Sequence, residues 1–332
     1  MISITDIAKK IGVNPSTVSR ALNGKKGVSE KTRDKILKLC SESGYEPNDM
    51  ARGLISGHSG LVGLIIPDMQ SPYYAAIAKG VSDGLSKYGM SMLLCVSGRD
   101  VEKEKDCVSL LKRHQVEGIV LVSVTADEAL CSSITDAGVK LVTADNVLGK
   151  GCTSVINDNY RGALELFRHM ASQGCGRLGW IGGMSSAFTT RERMRALKEI
   201  ASEGHLQFDE RDVIYGASTA QCGYEHASEL IKRGVDAIFG INDTVALGVM
   251  KYCFDNGIRV PHDLKIAGYD DLEVAGMLSV PLTTVHQYKI RLGLKAAELI
   301  VSAIRDPVVN IRAVLDPWLV KRESCGEKLS LN

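Results

Sequence analysis

From residue 61 onward the chain repeats one pattern, a short continuous apolar run followed by a longer segment whose apolar residues recur every three or four positions. The runs are Leu61–Ile66, Ser91–Val96, Gly118–Val122, Lys140–Ala144, Leu178–Ile181, Ala237–Ile241 and Lys265–Ala267. The segments between them include Tyr74–Lys87, Glu102–Arg113, Tyr160–Ser172, Thr190–Ser202, Gly223–Lys232 and Thr244–Asp255. A strand without polar alternation has to be buried on both faces, and a helix after each strand supplies that cover. The alternation therefore predicts an α/β protein whose doubly wound parallel sheets carry helices on both faces. About 270 residues exceed one such sheet, so two lobes are expected.

Ligands of such folds bind beyond the carboxyl ends of the strands, here in the cleft between lobes. The residues that follow the strands are therefore the candidates: Pro67 to Tyr74, Asp145-Asn146, Arg191 and Arg193, Asn242-Asp243, and Gly268-Tyr269-Asp270-Asp271. An arginine, carboxylates, amides and two tyrosines converging on one cleft can hydrogen-bond a polyol and pack on its ring.

The first sixty residues follow another rule. Ser3 can cap a helix and Asp6 can close its capping box, with Ile4, Ile7, Ala8 and Ile11 on one stripe and Gly12 as its end. Asn14 caps a second helix that opens on Pro15 and runs to Asn23. A third begins at Ser29 and runs to about Ser43, followed by Gly44. Ile36 and Leu39 are expected to close a small core with Ile7, Val18 and Leu22. Two helices joined by a short Gly-containing turn are a helix-turn-helix. The free face of the second helix carries Ser16, Thr17, Ser19, Arg20 and Asn23, types that can bond base edges or phosphates in a major groove. On spacing alone a DNA reader and a packing hairpin fit equally.

Charge is distributed to match a DNA-facing end. Residues 1–60 hold ten Lys or Arg against six acids, a balance of +4 within a chain whose net charge is +1, which leaves −3 on the remainder. Nine cysteines lie singly, without Cys-x-x-Cys pairs or zinc spacing, and read as reduced thiols of a cytoplasmic protein; no metal is expected. No apolar run is long enough to span a membrane, and the N-terminus lacks the pattern of a secretory signal.

The string Thr5-Asp6-Ile7-Ala8-Lys9-Lys10-Ile11-Gly12-Val13-Asn14-Pro15-Ser16-Thr17-Val18-Ser19-Arg20-Ala21-Leu22-Asn23-Gly24 closely resembles the headpiece of the lac repressor (LacI/GalR) family. Val28 to Arg33 and Gly44-Tyr45-Glu46-Pro47-Asn48 continue the match in order and spacing. Further on, Ile66-Pro67-Asp68, Arg191-Glu192-Arg193, Asn242 to Gly248, Gly268-Tyr269-Asp270-Asp271 and Pro281 to Gln287 resemble the family's core, which is shared with periplasmic sugar-binding proteins. The resemblance implies three regions: a headpiece over 1–46, a hinge helix and linker over 47–60, and a two-lobed effector-binding and dimerisation core over 61–332. It places Pro15, Ser16 and Arg20 at base-reading positions and gives phosphates to Thr5, Thr17, Ser19, Asn23 and Thr32. Asn48, Ala51, Arg52 and Leu54 fall in the hinge helix, with Leu54 as the wedge that enters the minor groove. Gly53 weakens that helix, so it is expected to fold only on DNA. Tyr73, Tyr74, Asp145, Arg193, Asn242, Asp270 and Gln287 match effector contacts. Other roles stay open for some of these: capping for Thr17, Ser19 and Asn242, core packing for Tyr74, a structural ion pair for Arg193 and Asp270.

The resemblance implies a repressor that binds a near-palindromic operator as a homodimer and answers to a sugar or sugar derivative, most simply by induction. The tail after Pro317 shows no leucine heptads that would add tetramerisation. No cofactor is implied, and neither is catalysis: Gly179-Trp180-Ile181-Gly182-Gly183 is not a dinucleotide turn, and no phosphate loop is present. The competing class is a solute-binding protein for a sugar, which would need a signal segment and leaves the basic end unexplained.

Overall fold

The computed structural model describes residues 2–22, 24–45, 58–149, 152–306 and 310–326. The chain divides into two compact units after Gly60.

Among the described residues the first unit is three helices: α1 (Ile4–Ile11), α2 (Pro15–Leu22) and α3 (Glu30–Glu42). Ser3 caps α1 and forms a reciprocal capping box with Asp6, and Gly12 ends it at φ 75°. The Asn14 side chain accepts from the Ser16 amide at 3.0 Å, and Ser29 caps α3 by accepting from Thr32 N. Ile7, Ala8, Val18, Ala21, Ile36 and Cys40 make the core. Leu22 and Leu39, expected in that core, are only partly buried at its rim. Cys40 follows Ile36 by four positions and takes the inward stripe that Leu39 misses by one residue.

The second unit holds two lobes. The first is a six-stranded parallel sheet in the order β11-β5-β4-β3-β1-β2, built from β1 (Leu61–Ile66), β2 (Ser91–Val96), β3 (Gly118–Val122), β4 (Lys140–Ala144), β5 (Thr153–Asn157) and β11 (Arg312–Leu315). The second is a four-stranded parallel sheet in the order β7-β6-β8-β9, from β6 (Leu178–Ile181), β7 (Val213–Ile214), β8 (Ala237–Gly240) and β9 (Lys265–Ala267). One apolar core fills the second lobe, around Phe167, Trp180 and Phe239, and two lie on opposite faces of the first sheet. A small antiparallel pair, β10 (Thr284–His286) with β12 (Trp318–Val320), lies where the chain passes between lobes.

The helices are α4 (Pro72–Ser86), α5 (Val101–Arg113), α6 (Glu128–Thr135), α7 (Asn159–Ser172), α8 (Phe188–Ser202), α9 (Ala220–Lys232), α10 (Asp243–Asp255) and α11 (Lys289–Arg305). Those foreseen from periodicity begin one to three residues earlier than expected, and for α5, α7, α9 and α10 a capping side chain sits there: Asp100, for example, accepts from the amides of Glu102 and Lys103. β8 ends at Gly240, one residue early, where Asn242 turns the chain into α10. Helices α4 and α11 cross closely at two glycines. A Cβ on Gly80 would lie 2.2 Å from the Ile290 carbonyl oxygen, and one on Gly293 would lie 2.2 Å from that of Ile77.

Candidate functional site

Every strand-end segment singled out in the sequence contributes at least one residue to one cleft between the lobes, which is partly open to solvent. Tyr73 and Tyr74 enter it from the first turn of α4, Asp145 from the end of β4, Arg193 from the second turn of α8, and Asn242 from the cap of α10. Asp270 comes from the turn after β9 and Gln287 from the passage after β10. All seven expected effector contacts line this cleft.

Backbone geometry sets the two carboxylates apart from ordinary surface acids. Asp145 has φ 61° and Asp270 φ 113°, a region that side chains other than glycine enter only when the surroundings hold them there. Arg193 is 4% exposed and fixed on three sides. Its guanidinium lies 3.6 Å from the centroid of the Tyr269 ring, donates to Asn159 Oδ1 at 2.9 and 2.8 Å, and donates to the Ile241 carbonyl. Gln287 donates from Nε2 to Asp270 Oδ1 at 2.6 Å. Asn242 accepts from the Val245 amide at 2.9 Å through its carbonyl oxygen, which leaves its NH₂ end and one lone pair for a ligand. Asp145 Oδ1 is a sealed acceptor with no hydrogen-bond partner among the described residues.

The electrostatics follow from burial. Desolvation pushes the Asp145 carboxyl up to about 7, against the opposing pull of Arg193 and Tyr73. It pushes Asp270 up to about 6, against Arg193, Lys289 and Gln287. Burial also raises the Tyr73 hydroxyl well above its ordinary range, so both tyrosines stay neutral donors. The cleft thus holds two reluctant carboxylates and the buried Arg193 guanidinium, a set suited to hydroxyl groups that both donate and accept. Among the described residues no group of His, Cys, Asp and Glu gathers as a metal site, and no helix is long and apolar enough to cross a membrane.

Sequence reasoning left some of the lining unassigned. Arg99 follows β2 at φ 62°, lines the cleft and pairs with Asp68 at 2.7 Å. Ser218, Met184 and Thr190 line it from the second lobe. The rule that found Asp145, inspection of residues just past a strand, applies equally to Ser97-Gly98-Arg99 and would have found Arg99. Ser218 follows β7, a strand too short to show in the sequence.

On the first unit, Thr5, Ser16 and Arg20 are exposed, and Pro15, Thr17, Ser19 and Thr32 are partly so. Ser16, Ser19 and Arg20 sit on the face of α2 opposite the buried Val18 and Ala21. Thr32 is also tied to its cap, with its hydroxyl 2.8 Å from that of Ser29. Asn23, Asn48, Ala51, Arg52 and Leu54, and with them the folding of the hinge helix, lie outside the described residues.

Fold and site together define a two-lobed ligand-binding core on the same chain as a helix-turn-helix unit. Residues 3–48 match the bacterial regulatory proteins of the lacI family, and residues 167–325 match a periplasmic binding protein-like domain. The ribose operon repressor of Halalkalibacterium halodurans is 30% identical over 331 residues, covering 98% of this chain and 97% of its own. Catabolite control protein A of Staphylococcus xylosus is 29% identical over 321 residues, covering 96% and 98%. Among solved structures, a complex of the transcriptional regulator CelR with cellobiose superposes with a TM-score of 0.75 at 29% identity, covering 98% of this chain and all of that one. The lac repressor dimer bound to operator and the anti-inducer ONPF reaches 0.87 at 24% identity, covering 98% and 99%, a likeness of fold. The chain belongs to the lacI family and is a ligand-responsive, DNA-binding transcriptional repressor.

Proposed function

We propose that this repressor binds a near-palindromic operator as a homodimer and that a monosaccharide-sized polyol in the cleft releases it. The observation that carries the ligand half is the division of one polar set between two lobes. Asp145, Tyr73 and Tyr74 stand on the first and Arg193, Asn242 and Asp270 on the second. A polyol bonded to both groups favours one lobe arrangement over the other by the difference in its binding energy to the two. Both ionised and neutral partners are available to hydroxyls, and the tyrosines offer apolar surface to ring C–H groups. The names of the relatives agree with a sugar: ribose for one repressor, cellobiose for CelR.

The dimer follows from how little DNA one headpiece can read. A single recognition helix brings three or four side chains to base edges, too few for an operator, and two-fold pairing doubles the read length on a palindrome. Base reading falls to Pro15, Ser16 and Arg20, and phosphate contacts fall to Thr5, Thr17, Ser19, Asn23 and Thr32. Asn48, Ala51, Arg52 and Leu54 serve at the centre of the site. No step here is catalytic.

Selection of random duplexes on the full-length protein, repeated with D-ribose and other single sugars, tests the reading. The expected result is an enriched near-palindrome whose recovery falls with one sugar. Enrichment untouched by any sugar would overturn the ligand assignment, and no enrichment at all would overturn autonomous DNA reading.

A further inference from the structure

The turn that carries Asp270 carries a second aspartate with no surface on the cleft. Asp271 also has a positive φ, 49°, so two consecutive non-glycine residues hold a left-handed backbone. Such a pair persists only where the surroundings fix it, and the two groups that hold the Asp271 carboxylate lie on the segments that run between lobes. The Asp271 carboxylate accepts from Arg322 Nη2 at 2.6 Å on one oxygen, and its other oxygen lies 2.8 Å from His286 Nδ1. Lys289 Nζ donates to the carbonyls of both Asp270 and Asp271. Arg322 also donates to the Leu282 carbonyl at 2.9 Å.

Of these partners His286 belongs to the β10–β12 pair, and Arg322 follows β12 by two residues. His286 opposes Trp318 in the register, and the two rings stack at 3.8 Å with 21° between planes. The next residue, Gln287, lines the cleft and donates to Asp270. The one after, Tyr288, donates its amide to Asn157 at 3.1 Å, on the third segment that passes between lobes. Burial opposes the charge on Asp271, but the hydrogen bonds from His286 and Arg322 outweigh it and hold its carboxyl below the ordinary range. A ligand that moves Asp270 or Gln287 therefore reaches the crossover pair through one peptide bond.

We propose that Asp271 is a positioning residue that couples occupancy of the cleft to the lobe arrangement, acting through His286, Trp318 and Arg322 on the crossover strands. The inference rests on the ligand reading above, and its action is separable from ligand contact because Asp271 does not line the cleft. Asp271→Asn keeps the size of the side chain and removes the charge that holds Arg322 and His286 together.

The test uses the full-length chain with D-ribose as the probe. Calorimetry gives the sugar affinity, and operator titration with and without sugar gives the coupling ratio, which for allosteric pairs runs at about 5–150-fold. Trp318 is one of only two tryptophans, and the other, Trp180, is sealed in the second-lobe core, so a sugar-dependent emission change reports the crossover pair directly. Asp271→Asn should leave sugar affinity within about threefold while the coupling ratio falls below about twofold and the emission change disappears. Trp318→Leu, at a part-exposed position, should give the same split between affinity and coupling. Undiminished coupling in either variant would overturn the proposal. So would loss of affinity in step with coupling, which would make Asp271 a support of the pocket. Hydrogen exchange on the ligand-free chain tests the structural premise, that Asp271 holds the crossover pair, without any sugar. The substitution should speed exchange in β10 and β12 and spare β1 to β4, and equal rates in both variant and wild type would refute it. Failure of the wild type to bind any sugar would refute the ligand reading and leave the exchange result standing.

Discussion

Replacing Asp145 with asparagine should stabilise the protein, and increasingly so as pH rises. The carboxyl is pushed from 3.8 to about 7 by burial, so the folded chain keeps a proton that the unfolded chain has released. Stability from this group is complete below the unfolded value and is lost progressively as pH rises toward about 7, above which the loss is constant. At about 1.4 kcal/mol per pH unit, the full loss is about 4 kcal/mol as an upper bound. An interior that responds with an effective dielectric near 20 brings it to about 2 kcal/mol. Asparagine has no proton to release, so the variant keeps what the wild type loses. Between pH 5 and pH 8 its advantage should grow by about 1–3 kcal/mol, or about 3–10 °C in the melting temperature of the core. Thermal unfolding followed by circular dichroism at both pH values, on both proteins, measures that difference. The same variant should bind the sugar more weakly, because Asp145 lines the cleft. An advantage of equal size at pH 5 and pH 8 would refute the reasoning, since it would place the effect in packing rather than in a desolvated charge.

Three further outcomes are expected. Arg20→Ala should lose about 1–3 kcal/mol of preference at one base pair in duplex-competition binding, with sugar affinity unchanged. Asp270→Ala should abolish the sugar response in an operator-release assay while sugar-free DNA binding survives; a retained response would detach Asp270 from the site. Gly293→Val should destabilise the core by about 3 kcal/mol or more in chemical denaturation, because its Cβ would sit 2.2 Å from a backbone oxygen of α4 that has no room to retreat.

The sheets were largely legible because parallel strands sealed on both faces are written as continuous apolar runs. β1 to β4, β6 and β9 have the bounds read from the sequence. β5, β7, β10, β11 and β12 escaped: β7 because it is two residues long, the others because of partner distance. Thr153–Asn157 is polar enough to pass for a loop, and its outer neighbour Arg312–Leu315 arrives more than 150 residues later. β10 and β12 are three residues each and exist only because the chain passes twice between the same lobes. In the first unit the caps read correctly because capping is decided within four residues, whereas Leu39 against Cys40 was decided by which side of α3 meets α1.

The sequence by itself determined the periodicities, the caps, the strand ends and the residue types that stand there, since all of these depend on neighbours along the chain. It placed Asp145, Arg193 and Asp270 at the right ends of the right segments, while Gln287 came only from the family resemblance. Tertiary structure alone decided that the four share one cleft and that burial there makes both carboxylates hard to ionise. It alone stacked Arg193 on Tyr269 and tied Asp271 to the crossover strands. Those properties depend on which charges and dipoles surround a group once water is excluded, and that company is assembled from segments far apart along the chain.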